Sequence, residues 1–212
     1  MIDVFAKNLP LIKCFTSEAI TDEDWKEIQD AVGIPTFDRD EIRISQITEL
    51  DLFRFVDEIE EITMKAEKKF SLAQKLKVMK EEMKKFELKQ TDYKGITFLI
   101  KGYDEINAHL DDQIVATQAM LGSSFMRGRL KNETRAYEKK LNDMSELMEE
   151  VLKVQRTWMY LEPIFGSGDI MNTMPLEGKM FNEVDATWKN TMKGIEEDPG
   201  IVDLAEKENI IN

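Results

Sequence analysis

Between about Leu50 and Phe86, apolar residues recur every three or four positions, and neither glycine nor proline interrupts them. The series comprises Leu52, Phe55, Val56, Ile59, Ile62, Ala66, Phe70, Ala73, Leu76, Met79, Met83 and Phe86. Such spacing places the apolar side chains along one face of a helix and predicts one long helix or two nearly collinear ones. Aromatic residues at Phe55, Phe70 and Phe86 suit a regular dimer seam poorly, so packing against other helices of the same chain is favoured.

A second series of the same period predicts another long helix. It comprises Leu130, Tyr137, Leu141, Met144, Met148, Val151, Gln155, Trp158, Leu161 and Phe165. Gly166-Ser167-Gly168 breaks this helix, and Pro175 suits the first turn of the next one, where its missing N–H is harmless. That next helix carries Phe181, Val184, Trp188 and Met192 at helical spacing. We therefore expect Trp158 and Trp188 to pack together in the seam of a helical hairpin.

Between these helical stretches, near residues 87–101, the period changes to two. Glu87–Thr91 and Ile96–Ile100 read as the strands of a β-hairpin, with Gly95 in its turn. Gly102-Tyr103-Asp104 then opens a helix that ends at Gly122-Ser123-Ser124. The predicted fold class is mainly α, an elongated bundle of long antiparallel helices with one small hairpin.

We predict two regions, an N-terminal helical segment at residues 1–35 and a helical bundle at residues 36–212. In the first, Leu9-Pro10-Leu11-Ile12 forms an apolar cluster, and Thr21 with three acidic residues after it caps a short helix carrying Trp25. Gly33 and Pro35 end that helix. At the other end of the chain, Asp198-Pro199-Gly200 separates a short acidic tail.

Composition excludes several classes of function. The formal net charge of -13 argues against general binding to nucleic acid, and the lysines of Lys65–Lys89 are interleaved with glutamates, as on a solvated helix face. Cys14 is the only cysteine, which excludes an intrachain disulfide and a cysteine-based zinc site and fits a reducing compartment. The sequence has neither an apolar run of the roughly 18 residues a membrane span needs nor a secretory signal, so we expect a soluble, cytosolic chain.

The sequence offers no convincing catalytic, cofactor-binding or metal-binding residues. Gly178-Lys179 resembles the end of a phosphate-binding loop, but Thr173 replaces the first glycine and Met180 the hydroxyl residue. His109 is the only histidine, so a histidine metal site or a Ser-His-Asp triad has one candidate at most. The acidic pairs Asp111-Asp112 and Glu149-Glu150 are common on helices rich in Asp and Glu, and Gly166-Ser167-Gly168-Asp169 reads as a helix C-cap and loop.

Several ordered motifs together resemble the linker region of dynein heavy chains of the axonemal type. They are Gln155, Trp158, Tyr160-Leu161-Glu162, Ile164-Phe165, Asp169-Ile170, Met174-Pro175, Glu177 and, upstream, Gly102-Tyr103-Asp104-Glu105-Ile106. The Leu-Pro-Leu-Ile cluster with Trp25 also fits, although Glu23-Asp24 stands where the family has arginine and histidine. The resemblance covers nearly the whole chain and is densest from Gly102 to Met192.

The resemblance implies a mechanical lever that is part of a much larger chain. In that family, ATP and magnesium bind in an AAA+ ring downstream, and the linker swings across the ring to produce force on microtubules in cilia and flagella. This chain would then itself be no enzyme and would hold no cofactor. Its direct partner would be the AAA+ ring of the same heavy chain, and the rest of that heavy chain would contact other dynein subunits and microtubules. Neither nucleic acid nor a membrane would be a partner.

The alternative is a free-standing helical scaffold or tethering protein of spectrin-like shape. The coding sequence after Asn212 distinguishes the two, because a motor fragment continues into more linker and then a strand followed by a glycine-rich phosphate-binding loop. A lever also has to bend at a defined place. Of the two glycine-containing breaks, we expect Gly122–Gly128 to be the softer joint, because the predicted tryptophan seam clamps the helices on either side of Gly166.

Overall fold

A computed structural model describes residues 2–33 and 43–206 of the chain. Its elements are helices α1 (Ile2–Phe15), α2 (Asp22–Val32) and α3 (Ile44–Glu49), a 3-10 turn (Leu52–Phe55), α4 (Val56–Met83), strands β1 (Lys89–Tyr93) and β2 (Thr97–Lys101), and helices α5 (Asp104–Leu121), α6 (Gly128–Phe165), α7 (Gly168–Thr173), α8 (Pro175–Glu197) and α9 (Ile201–Glu206). The prediction of a mainly α fold with one small hairpin is confirmed.

The chain forms two compact units. One contains the residues up to Lys75 together with Ser123–Arg127, and the other contains Leu76–Gly122 and the residues from Gly128 onward. The boundary that we predicted at residue 35 lies outside the described residues.

In the first unit, α2 begins and ends as its sequence predicts. The backbone N–H of Thr21 donates to Asp24 Oδ2 at 2.9 Å, and Gly33 ends the helix with a φ of 69°. Trp25 packs edge-on against Phe15 of α1, with ring centroids 5.4 Å apart. The core of this unit comprises Leu11, Cys14, Phe15, Ala19, Ile20, Trp25, Ile28, Val32, Ile47, Leu52, Ile59, Ile62 and Ala66.

The long helix predicted from about Leu50 to Phe86 is shorter in the structure. The 3-10 turn precedes it, and α4 covers only Val56–Met83. Its apolar stripe also changes phase: Ile59 to Ala66 are buried in the first unit, and Leu76 to Met83 in the second. Ala66 and Leu76 are ten residues apart, which is not a whole number of helical turns, so the regular spacing of the buried residues breaks between them.

The second unit is built on α5, α6 and α8. Helices α5 and α6 pack side by side, and Tyr137 of α6 donates from its hydroxyl to Gln113 Oε1 of α5 at 3.3 Å. Strands β1 and β2 form an antiparallel pair in which Gln90 lies opposite Ile100. Lys94 and Gly95 both take positive φ in the turn, 55° and 69°, which confirms the predicted hairpin and its turn residue.

Candidate functional site: a hairpin clamped between two tryptophan helices

The aromatic seam between α6 and α8 is present as predicted. Trp158 and Trp188 stack with ring centroids 5.9 Å apart and are 1% and 4% exposed. About two turns further along α6, Phe165 stacks on Phe181 of α8 at 5.1 Å. Because the residue number rises along α6 as it falls along α8, the two helices run antiparallel.

A charged group anchors the seam at its centre. The indole N–H of Trp158 donates to Asp185 Oδ1 at 3.0 Å, and Lys189 Nζ approaches the other oxygen of Asp185 at 2.7 Å. Both the acidic and the basic side chain are only partly exposed. Hydrogen bonds to a charged acceptor are stronger than those between neutral groups, so this contact fixes the orientation of the Trp158 ring.

The β-hairpin is fastened to α6 by a pair of side-chain to backbone hydrogen bonds. The buried amide of Gln155 accepts from the backbone N–H of Ile100 at 2.8 Å and donates to the carbonyl oxygen of the same residue at 3.0 Å. The Tyr93 ring packs edge-on against Trp158, with centroids 5.3 Å apart. One turn of α6 therefore holds both strands of the hairpin.

Three further contacts tie the ends of the hairpin down. Lys94 Nζ and the Tyr93 hydroxyl both reach Glu162 Oε2 of α6, at 2.9 Å and 3.3 Å. At the opposite end, Gln90 Nε2 donates to the carbonyl oxygen of Met192 in α8 at 3.1 Å. The hairpin is thus bonded to both helices of the tryptophan seam, and the three elements form one assembly.

The contact between the two tryptophans was predicted from the sequence, but the clamp was not. Gln155 and Glu162 were recognised as residues of a family-like motif, and their partners Ile100 and Tyr93 lie 55 and 69 positions away in sequence. A pattern within one helix carries no information about partners at such distances, so only the folded structure could reveal these contacts.

The segments that resembled nucleotide-binding motifs are helical or cap helices. Gly178 and Lys179 lie inside α8, and the backbone N–H of Gly178 donates to Met174 O at 2.9 Å, so it is not free for a phosphate. Gly166 ends α6 by donating to Glu162 O at 2.8 Å, and a Cβ at Gly166 would meet that oxygen at 2.9 Å.

The polar residues considered for metal or acid-base chemistry are dispersed. His109 stacks on Phe86 at 4.3 Å, and its Nε2 lies 3.2 Å from Gln113 Nε2. The pairs Asp111-Asp112 and Glu149-Glu150 lie on exposed helix surfaces. Over residues 2–33 and 43–206, no group of three or more His, Cys, Asp or Glu side chains could hold a metal ion. In the same part of the chain, no helix combines the length and apolar character of a membrane span.

The predicted joint at Gly122–Gly128 connects two helices that pack together. Because α5 and α6 lie side by side within the second unit, movement of one against the other would break their shared core. Within the loop itself, Lys68 Nζ lies over the Phe125 ring at 4.7 Å and Met126 is 2% exposed. These contacts argue against a soft joint between α5 and α6.

Fold and site together define a helical structural module organised around a clamped hairpin. The chain belongs to the dynein heavy chain family: the family model described as "Dynein heavy chain, N-terminal region 2" matches residues 1–212. Similar proteins include mouse (Mus musculus) dynein axonemal heavy chain 3, 34% identical over 192 residues, and rat (Rattus norvegicus) dynein axonemal heavy chain 12, 36% identical over 179 residues. Rat dynein axonemal heavy chain 1 is 27% identical over 212 residues.

These matches cover 90%, 84% and 100% of the chain. They cover only 5%, 6% and 5% of the respective relatives, so the chain corresponds to a small part of their length.

Proposed function

We propose that this chain is a segment of the linker of an axonemal-type dynein heavy chain and serves as a mechanical lever. The observation that carries the proposal is the clamp, in which the hairpin is hydrogen-bonded to α6 and α8 while their tryptophans stack in a shared core. A single helix bends easily, whereas helices joined along their length by a close-packed core deform much less. Such an assembly suits a part that transmits force.

In this proposal the chemistry takes place elsewhere in the parent chain. ATP and magnesium bind in its AAA+ ring, and hydrolysis there moves the linker so that the motor produces force on microtubules. The ring of the same heavy chain is the direct partner, and other dynein subunits and microtubules are reached through the remainder. The relatives named above are axonemal heavy chains, which supports a location in the axoneme of cilia or flagella. The family match also favours a motor segment over a free-standing scaffold.

The proposal is tested by loosening the clamp in the full-length heavy chain. Gln155→Leu keeps a side chain of similar size but removes both hydrogen bonds to Ile100, which leaves a buried N–H and a buried carbonyl without their partner. We expect microtubule gliding velocity to fall while ATP turnover per motor is retained, because force is lost in the lever and not in the ring.

The matched control is Tyr160→Ala, five residues further along α6, whose side chain is 72% exposed. It should leave both velocity and ATP turnover unchanged. If Gln155→Leu and Tyr160→Ala have equal gliding velocities, the clamp carries no load and the lever proposal fails on this point.

A further inference from the structure

A line of hydrogen-bonding groups crosses the interior of the second unit. Gln113 of α5 is 5% exposed, and its side chain lies between those of His109, one turn earlier on α5, and Tyr137 of α6. The hydroxyl of Tyr137 also reaches the carbonyl oxygen of Met79 in α4, at 3.2 Å. Two side chains of α5, one of α6 and the backbone of α4 are therefore joined in one network.

Within this network, the hydroxyl of Tyr137 faces two acceptors. It lies 3.2 Å from Met79 O and 3.3 Å from Gln113 Oε1. A phenol has a single proton, so it can donate a full hydrogen bond to only one of these two oxygens. Tyr137 is 6% exposed, and the low dielectric of a buried site strengthens the repulsion within the other pair of oxygens. The arrangement therefore leaves one acceptor poorly satisfied.

At its other end, Gln113 depends on the protonation state of His109. The amide nitrogen of Gln113 lies 3.2 Å from His109 Nε2. An amide nitrogen only donates, so the two atoms are hydrogen-bonded only while Nε2 is an acceptor, which assigns the proton of the neutral ring to Nδ1. The imidazolium carries protons on both ring nitrogens, and in that form the same contact opposes two donors.

A half-turn of the Gln113 amide removes both conflicts at once. Its oxygen then accepts from Nε2–H of the His109 imidazolium, and its nitrogen donates to the hydroxyl oxygen of Tyr137. The single proton of Tyr137 is left for Met79 O, so every group in the network has a partner. The oxygen and nitrogen ends of an amide are nearly equal in size, so the half-turn requires no repacking of the core.

We propose that Gln113 is a proton-controlled switch: when His109 becomes charged, the Gln113 amide turns over and Tyr137 commits its proton to Met79 O. Met79 lies about one turn before the end of α4 at Met83. The charged state of His109 thus ties the end of α4 more firmly to α6, and the neutral state loosens that tie. A proton taken up on α5 is thereby transmitted through α6 to α4.

Charged groups surround His109 on the elements packed near it. The aromatic ring of Phe86, between α4 and β1, stacks on the imidazole at 4.3 Å. The charged side chains of this region are Glu82 of α4, Lys85 and Glu87 beside Phe86, Lys89 of β1, Glu105 and Asp112 of α5, Lys140 of α6 and Asp198 before α9. All are exposed or half-buried, and within the described parts of the chain none of them is hydrogen-bonded to His109. The contact that protonation reverses is therefore the one with Gln113.

The test follows both ends of Gln113 by NMR of the isotope-labelled chain between pH 8 and pH 5, the range over which histidines ordinarily change charge. His109 is the only histidine, so its ring signals are identified at once. At pH 8, the ring nitrogens should show the Nδ1–H tautomer, and the amide protons of Gln113 should give nuclear Overhauser contacts to the His109 ring. At pH 5, those contacts should pass to the Tyr137 ring. Their ratio should change at least about tenfold, with the midpoint of the His109 titration, because a hydrogen bond to a charged group replaces a contact between two donors.

Two variants separate this relay from a direct effect of charge. Gln113→Met keeps a side chain of similar length but has no amide, so the ring signals of Tyr137 should no longer follow the His109 titration. Asp112→Asn is the matched control, since it removes an exposed charge near His109 and leaves the network intact. In that control, the signals of Tyr137 and His109 should still change together.

A third variant keeps the test decisive should Gln113→Met fold poorly. His109→Phe preserves a ring stacked on Phe86 but cannot take up a proton. The contacts of Gln113 and the ring signals of Tyr137 should then be the same at pH 8 and pH 5. A response that persists in this variant would overturn the proposal.

Three results in the unaltered chain and in Gln113→Met would also overturn it. A neutral His109 ring with its proton on Nε2 at pH 8 would show that the amide is already turned. Contacts of Gln113 that are equal at pH 8 and pH 5 would show that it does not turn. A Tyr137 response as large in Gln113→Met as in the unaltered chain would assign that response to the charge of His109 acting directly.

This inference does not rest on the lever function. It is measured on the chain itself, without nucleotide or microtubules. The switch can therefore fail while the gliding test of Gln155→Leu succeeds, and the reverse.

Discussion

Truncation of Trp158 tests whether the tryptophan seam holds the second unit together. The side chain is 1% exposed, stacks on Trp188 and contacts Tyr93. Trp158→Ala removes those contacts and leaves a cavity, for which core aromatic truncations cost about 3–5 kcal/mol. Asp185 keeps its ion pair with Lys189, so the loss should stay within that range and not include a stranded carboxylate.

Two conservative substitutions separate ring packing from hydrogen bonding. Trp158→Phe loses the bond to Asp185, and a hydrogen bond to a charged group is worth about 1.5–3 kcal/mol. Trp188→Phe removes the same part of the indole ring as Trp158→Phe does. The buried Nε1 of Trp188, however, has no hydrogen-bond partner among the described residues. Removing an unsatisfied buried N–H relieves a penalty, so Trp158→Phe should destabilise more than Trp188→Phe by at least about 1.5 kcal/mol.

The free energy of unfolding of each variant is measured by equilibrium urea denaturation, followed by tryptophan fluorescence. All variants carry Trp25→Phe, so that the fluorescence comes only from tryptophans of the second unit. Because Trp25 lies in the first unit, its replacement does not alter the seam, and every variant is compared in the same background. A loss of less than about 1 kcal/mol for Trp158→Ala would mean that the ring is not a core residue and would refute the seam. Equal losses for the two phenylalanine variants would refute the assigned hydrogen bond.

Four further outcomes are expected. Burial, with a smaller contribution from Glu82, raises the pKa of Tyr137 to about 12. The contribution of its neutral phenol to the free energy of unfolding is therefore fully present below pH 10 and falls by up to about 2–3 kcal/mol as the pH rises from 10 to 12. Absorbance titration should show the ionisation of this phenol near pH 12, and Tyr137→Phe should abolish it. Gly33→Ala, at a φ of 69°, should lower the free energy of unfolding by about 1 kcal/mol. Gly194→Ala in α8, where a Cβ meets nothing within 4 Å, should raise it by about 0.5–1 kcal/mol. Melting temperatures of the two variants that shift in the same direction would contradict this. The buried Cys14 thiol, its pKa raised by burial, should react with a thiol reagent only as fast as the first unit opens, and rapid labelling of the native chain would contradict its burial. Calorimetry with ATP and magnesium should detect no specific binding, because Gly178 is part of a helix, and saturable binding at micromolar nucleotide would contradict that.

Local sequence signals predicted the helix ends and turns well. Thr21 and Gly33 bound α2, Gly95 lies in the hairpin turn, and Pro175 begins α8, each as predicted from the conformational preferences of that residue type. These features depend on a few neighbouring residues, and neighbouring residues are what a sequence displays.

The sequence was less informative where the structure depends on distant partners. The segment around Pro10 was predicted only as an apolar cluster, but helix α1 continues through it. Proline in a helix interior loses a hydrogen bond and normally disrupts a helix, so the packing of the first unit outweighs the local preference here. The break in phase between Ala66 and Leu76 was visible only as a small drift in spacing. The clamp of Gln155 on Ile100 left no local signal at all.

The same clamp also covers the outer edge of the two-stranded sheet. A strand edge with open N–H and carbonyl groups invites pairing with another chain, and proteins usually cover such edges. Here the amide of Gln155 occupies the outer edge of β2 at Ile100, and Pro199 accepts a hydrogen bond from Leu88 at the approach to β1. One side chain thus stands in for part of a third strand, and a substitution that removes its amide would expose the edge of β2 as a template for aggregation.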